Sequence, residues 1–163
     1  MTPSPDNSAV ELAEACLSAL EQSGATLATA ESLTGGLLAA TLASVPGASA
    51  VLRGGLAAYA TDVKTTVLGV DPSLLTRYGV ISVECAEAMA VRARLLFRAD
   101  WAVATTGVAG PEPQDGHAAG EVYVAVACPA EALSSRQLAL TGSRQQIRAV
   151  TMFEALTLLH GVI

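Results

Sequence analysis

The stretch ATLATAESLTGGLLAATLAS, residues 25–44, contains a change of period that decides the fold. Its first six residues, ATLATA, form a short apolar run that reads as a buried strand. From Gly35 onward, GGLLAATLAS reads as a helix stopped by Pro46 and Gly47. Between them AESLTGG (30–36) gathers an acid, two hydroxyls and two glycines into a strand-to-helix turn. A hydroxyl in such a turn serves as a helix cap, as part of a phosphate cradle or as a nucleophile. The turn alone leaves all three open.

The same alternation of periods runs through the rest of the chain. Ser8 and Glu11 make a capping box for a first helix that carries Leu12, Cys16 and Leu20 on one side and runs up to Gly24. AVLRGGLAAYA (50–60) reads as a second strand, with Gly54 and Gly55 allowing a bulge or a close backbone approach. Thr61 opens a short helix containing Lys64 that ends at Gly69, and Asp71 with Pro72 opens another turn of helix. Ser82 caps a long helix to about Arg98, with Val83, Ala86, Ala90 and Leu95 leaning to one side. WAVATT (101–106), EVYVAVAC (121–128) and SRQLALT (135–141) are three further strands, the first two joined by a Gly/Pro-rich loop. Gly142 or Ser143 opens a last helix, predicted to place Ala149, Met152, Phe153, Leu156 and His160 on one face. Strands alternating with helices predict a three-layer α/β/α fold around a mixed, mainly parallel sheet. Residues 1–8 read as a disordered tail and 9–163 as a single domain.

Composition narrows the function classes. The chain has 163 residues, 52% of them apolar and only 4% aromatic, so its core is built from Ala, Val, Leu and Ile. Residues 32–52 carry no charge, but Thr34, Gly35, Gly36, Ser44, Pro46, Gly47 and Ser49 break the run well short of the about 20 residues a membrane span needs. A net charge of −6 without a basic cluster argues against nucleic acid. Cys16, Cys85 and Cys128 are odd in number, widely spaced and set in apolar stretches, which predicts reduced thiols, no metal site and a cytoplasmic protein. A small-molecule partner is expected, with no membrane partner, and a homo-oligomer is compatible with the sequence without being specified by it. Of the nine basic residues, eight are Arg and one is Lys64. Only Lys has an amine that can lose its proton, so its single occurrence hints at a need for that property.

Topology gathers the polar groups. Right-handed crossovers make the first three strands parallel, and their C-terminal ends form the edge where open α/β sheets bind ligands. That edge receives Ser32 and Thr34, then Tyr59 and Lys64, then Thr105 and Thr106. An antiparallel fourth strand and its hairpin partner return the chain to the same edge, delivering Arg144 and Arg148, four residues apart on one helix face. A serine needs a base, and Lys64 qualifies if burial lowers its pKa. His117 lies in the long loop as another candidate, and His160 is expected to be packed. Amides around Thr34, Gly35 and Gly36 suit an oxyanion or a phosphate, Glu31 a ligand hydroxyl, amide or the helix dipole, and Arg144 with Arg148 a phosphate. A solvated face explains the two arginines equally well, and a simple cap explains Ser32 or Thr34.

The ordered set AESLTGG (30–36), GGLAAYATDVKTTVLGV (54–70), YGVIS (78–82), ADWAVATTGVAGP (99–111), GEVYVAVA (120–127) and GSRQQIR (142–148) resembles the CinA C-terminal domain family over nearly all of the chain after the tail. Enzymatic members of that family are nicotinamide-nucleotide amidohydrolases. The resemblance implies Ser32 as nucleophile, Lys64 as base, and Tyr59 and Thr106 as assisting hydroxyls. It implies no metal or organic cofactor. Its substrate contacts would be Glu31, the turn at Thr34, Gly35 and Gly36, the loop from Gly107 to Gly110, and Arg144 with Arg148. The chain departs from the family pattern at Leu33, usually Cys, and at Ala60 and Thr61, usually Ser-Asn. It departs again at Ser143, usually Asp, and at 117–121, HAAGE, where Lys-Pro-Val-Gly-Thr is usual. The implied reaction is hydrolysis of nicotinamide mononucleotide to nicotinate mononucleotide and ammonia. The altered loop keeps two alternatives in play: a non-catalytic nucleotide-binding or regulatory module, and an amidase of another small substrate.

Overall fold

Five strands form one sheet in the order β2-β1-β3-β4-β5 in a computed structural model that describes residues 5–130 and 132–163. The strands are β1 Leu27–Glu31, β2 Leu52–Ala57, β3 Trp101–Gly107, β4 Glu121–Ala127 and β5 Leu133–Ala139. β1 pairs parallel with β2 and with β3, whereas β3–β4 and β4–β5 are antiparallel. β1, β2, β3 and β5 thus run in one direction and β4 against them, so the sheet is mixed and mainly parallel, as expected. The helices are α1 Pro5–Gln22, α2 Leu37–Ala43, α3 Thr61–Thr66, α4 Pro72–Tyr78, α5 Val83–Phe97 and α6 Arg144–His160. A 3-10 turn, Ala48–Ala50, leads into β2. The register of β2 slips by one residue at Arg53, the bulge that its glycine pair permits.

The two faces of the sheet bury different side chains. Val103, Val122, Val124 and Val126 point toward α1, α2 and α6, where Leu17, Leu38, Ile147 and Leu156 complete one core layer. Ala28, Ala30, Ala102, Ala104 and Ala125 point the other way, against Cys85, Ala86, Met89, Ala90 and Ala93 of α5. Period-two alternation thus separates a branched face from an alanine face, and the small face lets α5 lie close to the sheet. Central β1 is buried along its whole length, as expected for a parallel strand covered on both sides, while edge β2 alternates between half-buried and exposed.

Three expectations need correction. Helix α1 starts at Pro5, so it takes up residues 5–8 of the anticipated tail, and 1–4 lie outside the described residues. Proline suits a first helical position because the N–H it lacks has no partner there. In α6 the buried stripe is Ile147, Thr151, Met152, Ala155, Leu156, Leu158 and Leu159. Phe153 and His160 are exposed, so His160 is a surface residue and not a packed one. In α5 the buried stripe runs through Cys85, Ala86, Met89, Ala90 and Ala93, so Ala86 and Ala90 lie where expected, and Leu95 faces solvent. Both helices keep part of the expected face, Ala86 and Ala90 in α5 and Met152 and Leu156 in α6, and depart from it at its margin, where Leu95, Ala149, Phe153 and His160 meet solvent.

The turn after β1 is built by Glu31. Its buried carboxylate accepts from the amides of Gly36 (3.0 Å), Leu38 (3.0 Å) and Ala39 (2.8 Å), which leaves the start of α2 fully satisfied. Gly36 stands at the N-cap with φ 96°, a conformation glycine adopts without strain. Charge-assisted bonds of this kind are the strong ones. Glu31→Ala is therefore expected to destabilise the fold by about 3 kcal/mol, with Glu31→Gln intermediate. Urea denaturation measures both, and an unchanged midpoint for the alanine variant would show that the cap contributes nothing.

Candidate active site

At the C-terminal edge of the sheet, Ser32, Tyr59, Lys64, Thr106, Gly107 and Arg144 line one cleft. Ser32 follows directly on β1, and its own amide donates to the Thr105 carbonyl at 2.9 Å, continuing the β1–β3 ladder by one residue. Lys64 comes from α3, which points its side chain inward beneath the turn. Its Nζ lies 3.0 Å from Ser32 Oγ and donates to the Ala58 carbonyl at 2.9 Å.

Lys64 is only 2% exposed. Burial pulls its amine below the ordinary lysine value, and the neighbouring Cys85 works weakly in the other direction. Cys85 is itself pushed up to about 11 by burial, so near neutral pH it is an uncharged thiol and does not hold the lysine protonated. Among the described residues the ion pairs are His117–Glu121 and Arg136–Glu154, and neither involves Lys64. A buried amine without a carboxylate partner favours its neutral form. Lys64 Nζ donates to Ser32 Oγ, and in its neutral form the same nitrogen could take the hydroxyl proton, which a serine nucleophile requires of a base.

The remaining expected site residues divide into those facing the cleft and those supporting it. Thr106 is buried and lines the cleft, but its hydroxyl donates to the Val80 carbonyl at 2.6 Å, so it has no proton left to give an oxyanion. Its lone pairs remain. Tyr59 is 56% exposed, and its hydroxyl accepts a short bond from Arg144 Nη2. Arg144 also donates to the Gly110 carbonyl at 2.8 Å, which ties α6 to the loop after β3. Gly107 ends β3 at the cleft wall.

Five expected ligand contacts, Glu31, Thr34, Gly35, Gly36 and Arg148, spend side-chain or backbone groups on internal braces. Glu31 spends its carboxylate on α2, as described above. Thr34 is buried, with Oγ1 2.7 Å from Thr105 Oγ1, so the two hydroxyls satisfy each other. The Gly35 amide donates to the Ser32 carbonyl at 3.0 Å and the Gly36 amide to Glu31, so neither is free for an anion. Arg148 donates through Nε to the Leu33 carbonyl (3.0 Å) and through Nη2 to the Thr34 carbonyl (2.7 Å), clamping the turn that carries Ser32. Among the described residues, the turn amides left without an internal acceptor are those of Leu33 and Thr34. In the next loop the Val108 amide is spent on the Glu121 carbonyl at 2.9 Å, which leaves those of Ala109 and Gly110.

Two features of the site escaped the sequence. His117 Nδ1 sits 2.9 Å from Glu121 Oε1, the oxygen that also accepts from Tyr123 at 2.8 Å, so His117 is engaged away from Ser32. Gln114 reaches the cleft from the same loop. The signal for it was the Asp115-Gly116 dipeptide, which marks a tight hairpin. Cys16 and Cys85 are buried and Cys128 is half-buried, all as free thiols, and no cluster of metal-binding side chains occurs among the described residues. Among those residues no helix is long and apolar enough to cross a membrane.

Comparison with known proteins places this geometry in context. The model of the CinA C-terminal domain matches residues 9–163. A CinA-like protein of Frankia casuarinae is 46% identical over 147 residues, covering 90% of this chain and 34% of the relative. A putative competence-damage inducible protein of Geobacillus sp. is 45% identical over 132 residues, covering 81% and 32% respectively. The chain therefore spans about a third of the length of these curated relatives. Among solved structures, the competence/damage inducible protein CihA from Agrobacterium tumefaciens superposes with a TM-score of 0.91 at 33% identity, covering 99% of this chain and 97% of that one. The competence damage-inducible protein A from Klebsiella pneumoniae gives 0.90 at 31%, covering 94% and 96%. With its whole fold and nearly its whole length matched, the chain belongs to the CinA C-terminal domain family.

Proposed function

We propose that the protein is an amidohydrolase that removes the carboxamide nitrogen of nicotinamide mononucleotide by a Ser32–Lys64 mechanism. The observation carrying this reading is the buried Lys64 amine, without a carboxylate partner, 3.0 Å from Ser32 Oγ. The substrate comes from the family resemblance, and its chemistry suits the cleft. The cationic pyridinium ring draws electrons from the carboxamide carbon, and the phosphate offers Arg144 a partner.

Neutral Lys64 takes the Ser32 hydroxyl proton as Oγ bonds to the amide carbon. The carbonyl oxygen becomes an oxyanion, for which the Leu33 and Thr34 amides are the available donors. The lysine ammonium returns its proton to the departing nitrogen, the C–N bond breaks and ammonia leaves. Lys64 then deprotonates a water that attacks the acyl-enzyme, and proton return to Ser32 releases nicotinate mononucleotide. The Arg144 guanidinium, with the Ala109 and Gly110 amides, holds the phosphate at the other end of the cleft.

Ammonia release from purified protein tests the reading directly. Ser32→Ala and Lys64→Met are each expected to lower kcat by about 10³-fold or more while the nucleotide still binds. Methionine fits the buried lysine stem without charge, whereas arginine would bury a charge it cannot lose. Wild-type protein that binds the nucleotide and releases no ammonia would favour the binding-module alternative, and turnover of other amides alone would favour a different amidase.

The pH profile follows from the burial of Lys64. Because the base works when neutral, kcat/KM rises with pH through a limb set by Lys64, below the ordinary lysine value of 10.5. In the window between the lowered folded value and the unfolded one, the unfolded chain binds more protons at this site. The site's contribution to stability therefore rises with pH there, and Lys64→Met flattens that slope. A profile of Lys64→Met identical to wild type in both respects would remove the neutral amine from the account. Arg144→Ala is expected to raise KM for the nucleotide about 10-fold or more, since a charge-assisted bond is lost. An unchanged KM would eliminate its phosphate role.

A further inference from the structure

The loop between β3 and β4 holds a small hairpin. The Gln114 amide donates to the His117 carbonyl at 3.0 Å, and the His117 amide donates back to the Gln114 carbonyl at 2.8 Å. Between them Asp115 (φ 50°) and Gly116 (φ 84°) both take left-handed conformations, the pairing of a type I′ two-residue turn. The base of the loop is fixed by the Gly120 amide donating to the Val108 carbonyl (2.8 Å) and the Val108 amide donating to the Glu121 carbonyl (2.9 Å). Side chains add a second anchor, because one Glu121 oxygen binds both His117 Nδ1 and the Tyr123 hydroxyl. These two bonds hold the Glu121 carboxyl below the usual carboxylate range, and Tyr123 is pushed up to about 12, chiefly by burial. Both ends of the anchor, His117 and Glu121, fall in the segment where the chain departs from its family pattern.

This hairpin carries Gln114 into the wall of the cleft that holds Ser32, Lys64 and Arg144. The Gln114 side chain is nearly unclaimed, its one internal contact being Nε2 to Asp115 Oδ2 at 3.5 Å, the outer limit of a hydrogen bond. A primary amide offers donors and an acceptor together without charge, which suits neutral hydroxyl groups rather than an anion. Groups on rigid supports discriminate best between ligands.

We infer that Gln114 is a specificity-determining residue that hydrogen-bonds the sugar hydroxyls of a nucleotide ligand, with His117 and Glu121 as its positioning residues. The inference rests on the proposed function for the identity of the ligand. It assigns the middle of the cleft: the scissile amide at Ser32, the phosphate at Arg144 and the sugar between them, against the hairpin.

The test compares nicotinamide mononucleotide with its 2′,3′-dideoxy analogue. Wild-type protein is expected to show a KM roughly 3- to 10-fold higher for the analogue, the range of one or two neutral hydrogen bonds. Gln114→Ala is expected to show the raised KM for both compounds, with kcat within twofold of wild type. Glu121→Ala should lose the preference too, while Glu121→Gln, which keeps an acceptor for His117 and Tyr123, should retain it. A Gln114→Ala protein that still prefers the hydroxylated nucleotide overturns the inference. If wild-type protein hydrolyses neither compound, the proposed reaction fails separately. The same ratio is then read from calorimetric Kd values on Ser32→Ala, where equal affinity for the two compounds, or no affinity for either, overturns the sugar contact.

Discussion

Burying an amine beside a serine hydroxyl is the constraint around which this domain is arranged. A charged ammonium at the position of Lys64 would need a carboxylate or lose several kcal/mol to desolvation. The fold supplies carbonyl and hydroxyl partners instead, from Ala58 and Ser32. Cys85, the nearest titratable neighbour, stays neutral because it is equally buried. Burial and the lack of a carboxylate partner favour an uncharged nitrogen beside Ser32, against the smaller opposing pull of Cys85. Water admitted around Nζ would undo the effect, so the packing of α3 against the sheet edge acts on the chemistry as well as on stability.

The turn that carries Ser32 is held from three sides. Glu31 fixes the amides of α2, the Thr34–Thr105 hydroxyl pair fixes the floor, and Arg148 grips the Leu33 and Thr34 carbonyls from α6. Such bracing leaves the Leu33 and Thr34 amides facing no internal acceptor while their carbonyls are locked in place. Under the proposed hydrolysis, donors whose orientation is fixed before the substrate arrives need no reorganisation as charge develops.

Much of the fold was legible because it rests on local signals. The period change at residues 25–44, the caps at Ser82 and Ser143, and the helix-free loop before β4 fixed element order and strand direction, and with them the convergence on one edge. Lys64 was legible by its singularity. What the sequence hid depends on partners far along the chain. Nothing local separates Arg144, which reaches the cleft, from Arg148, which clamps a turn 114 residues away. Glu31 looked like a ligand contact for the same reason, since its three acceptor bonds exist only once α2 folds back over it. The faces of α5 and α6 were legible only at their centres, since Leu95 and Phe153 are apolar yet exposed and periodicity alone does not exclude them.

The two basic groups that line the cleft differ in what each position asks of a cation. At Arg144 the fixed charge of a guanidinium stands exposed at the surface, where it bridges Tyr59 and Gly110. At position 64 permanence would be fatal to the chemistry, since a guanidinium has no lone pair to offer and could not be buried without a counter-charge. Burial acts oppositely on the two requirements, so they cannot share one environment. The fold resolves this by burial, setting the amine on α3 beneath the turn and the guanidinium at the exposed start of α6. Under the proposed mechanism, a ligand in the cleft meets an amine able to act as a base beside Ser32 and a positive charge at Arg144.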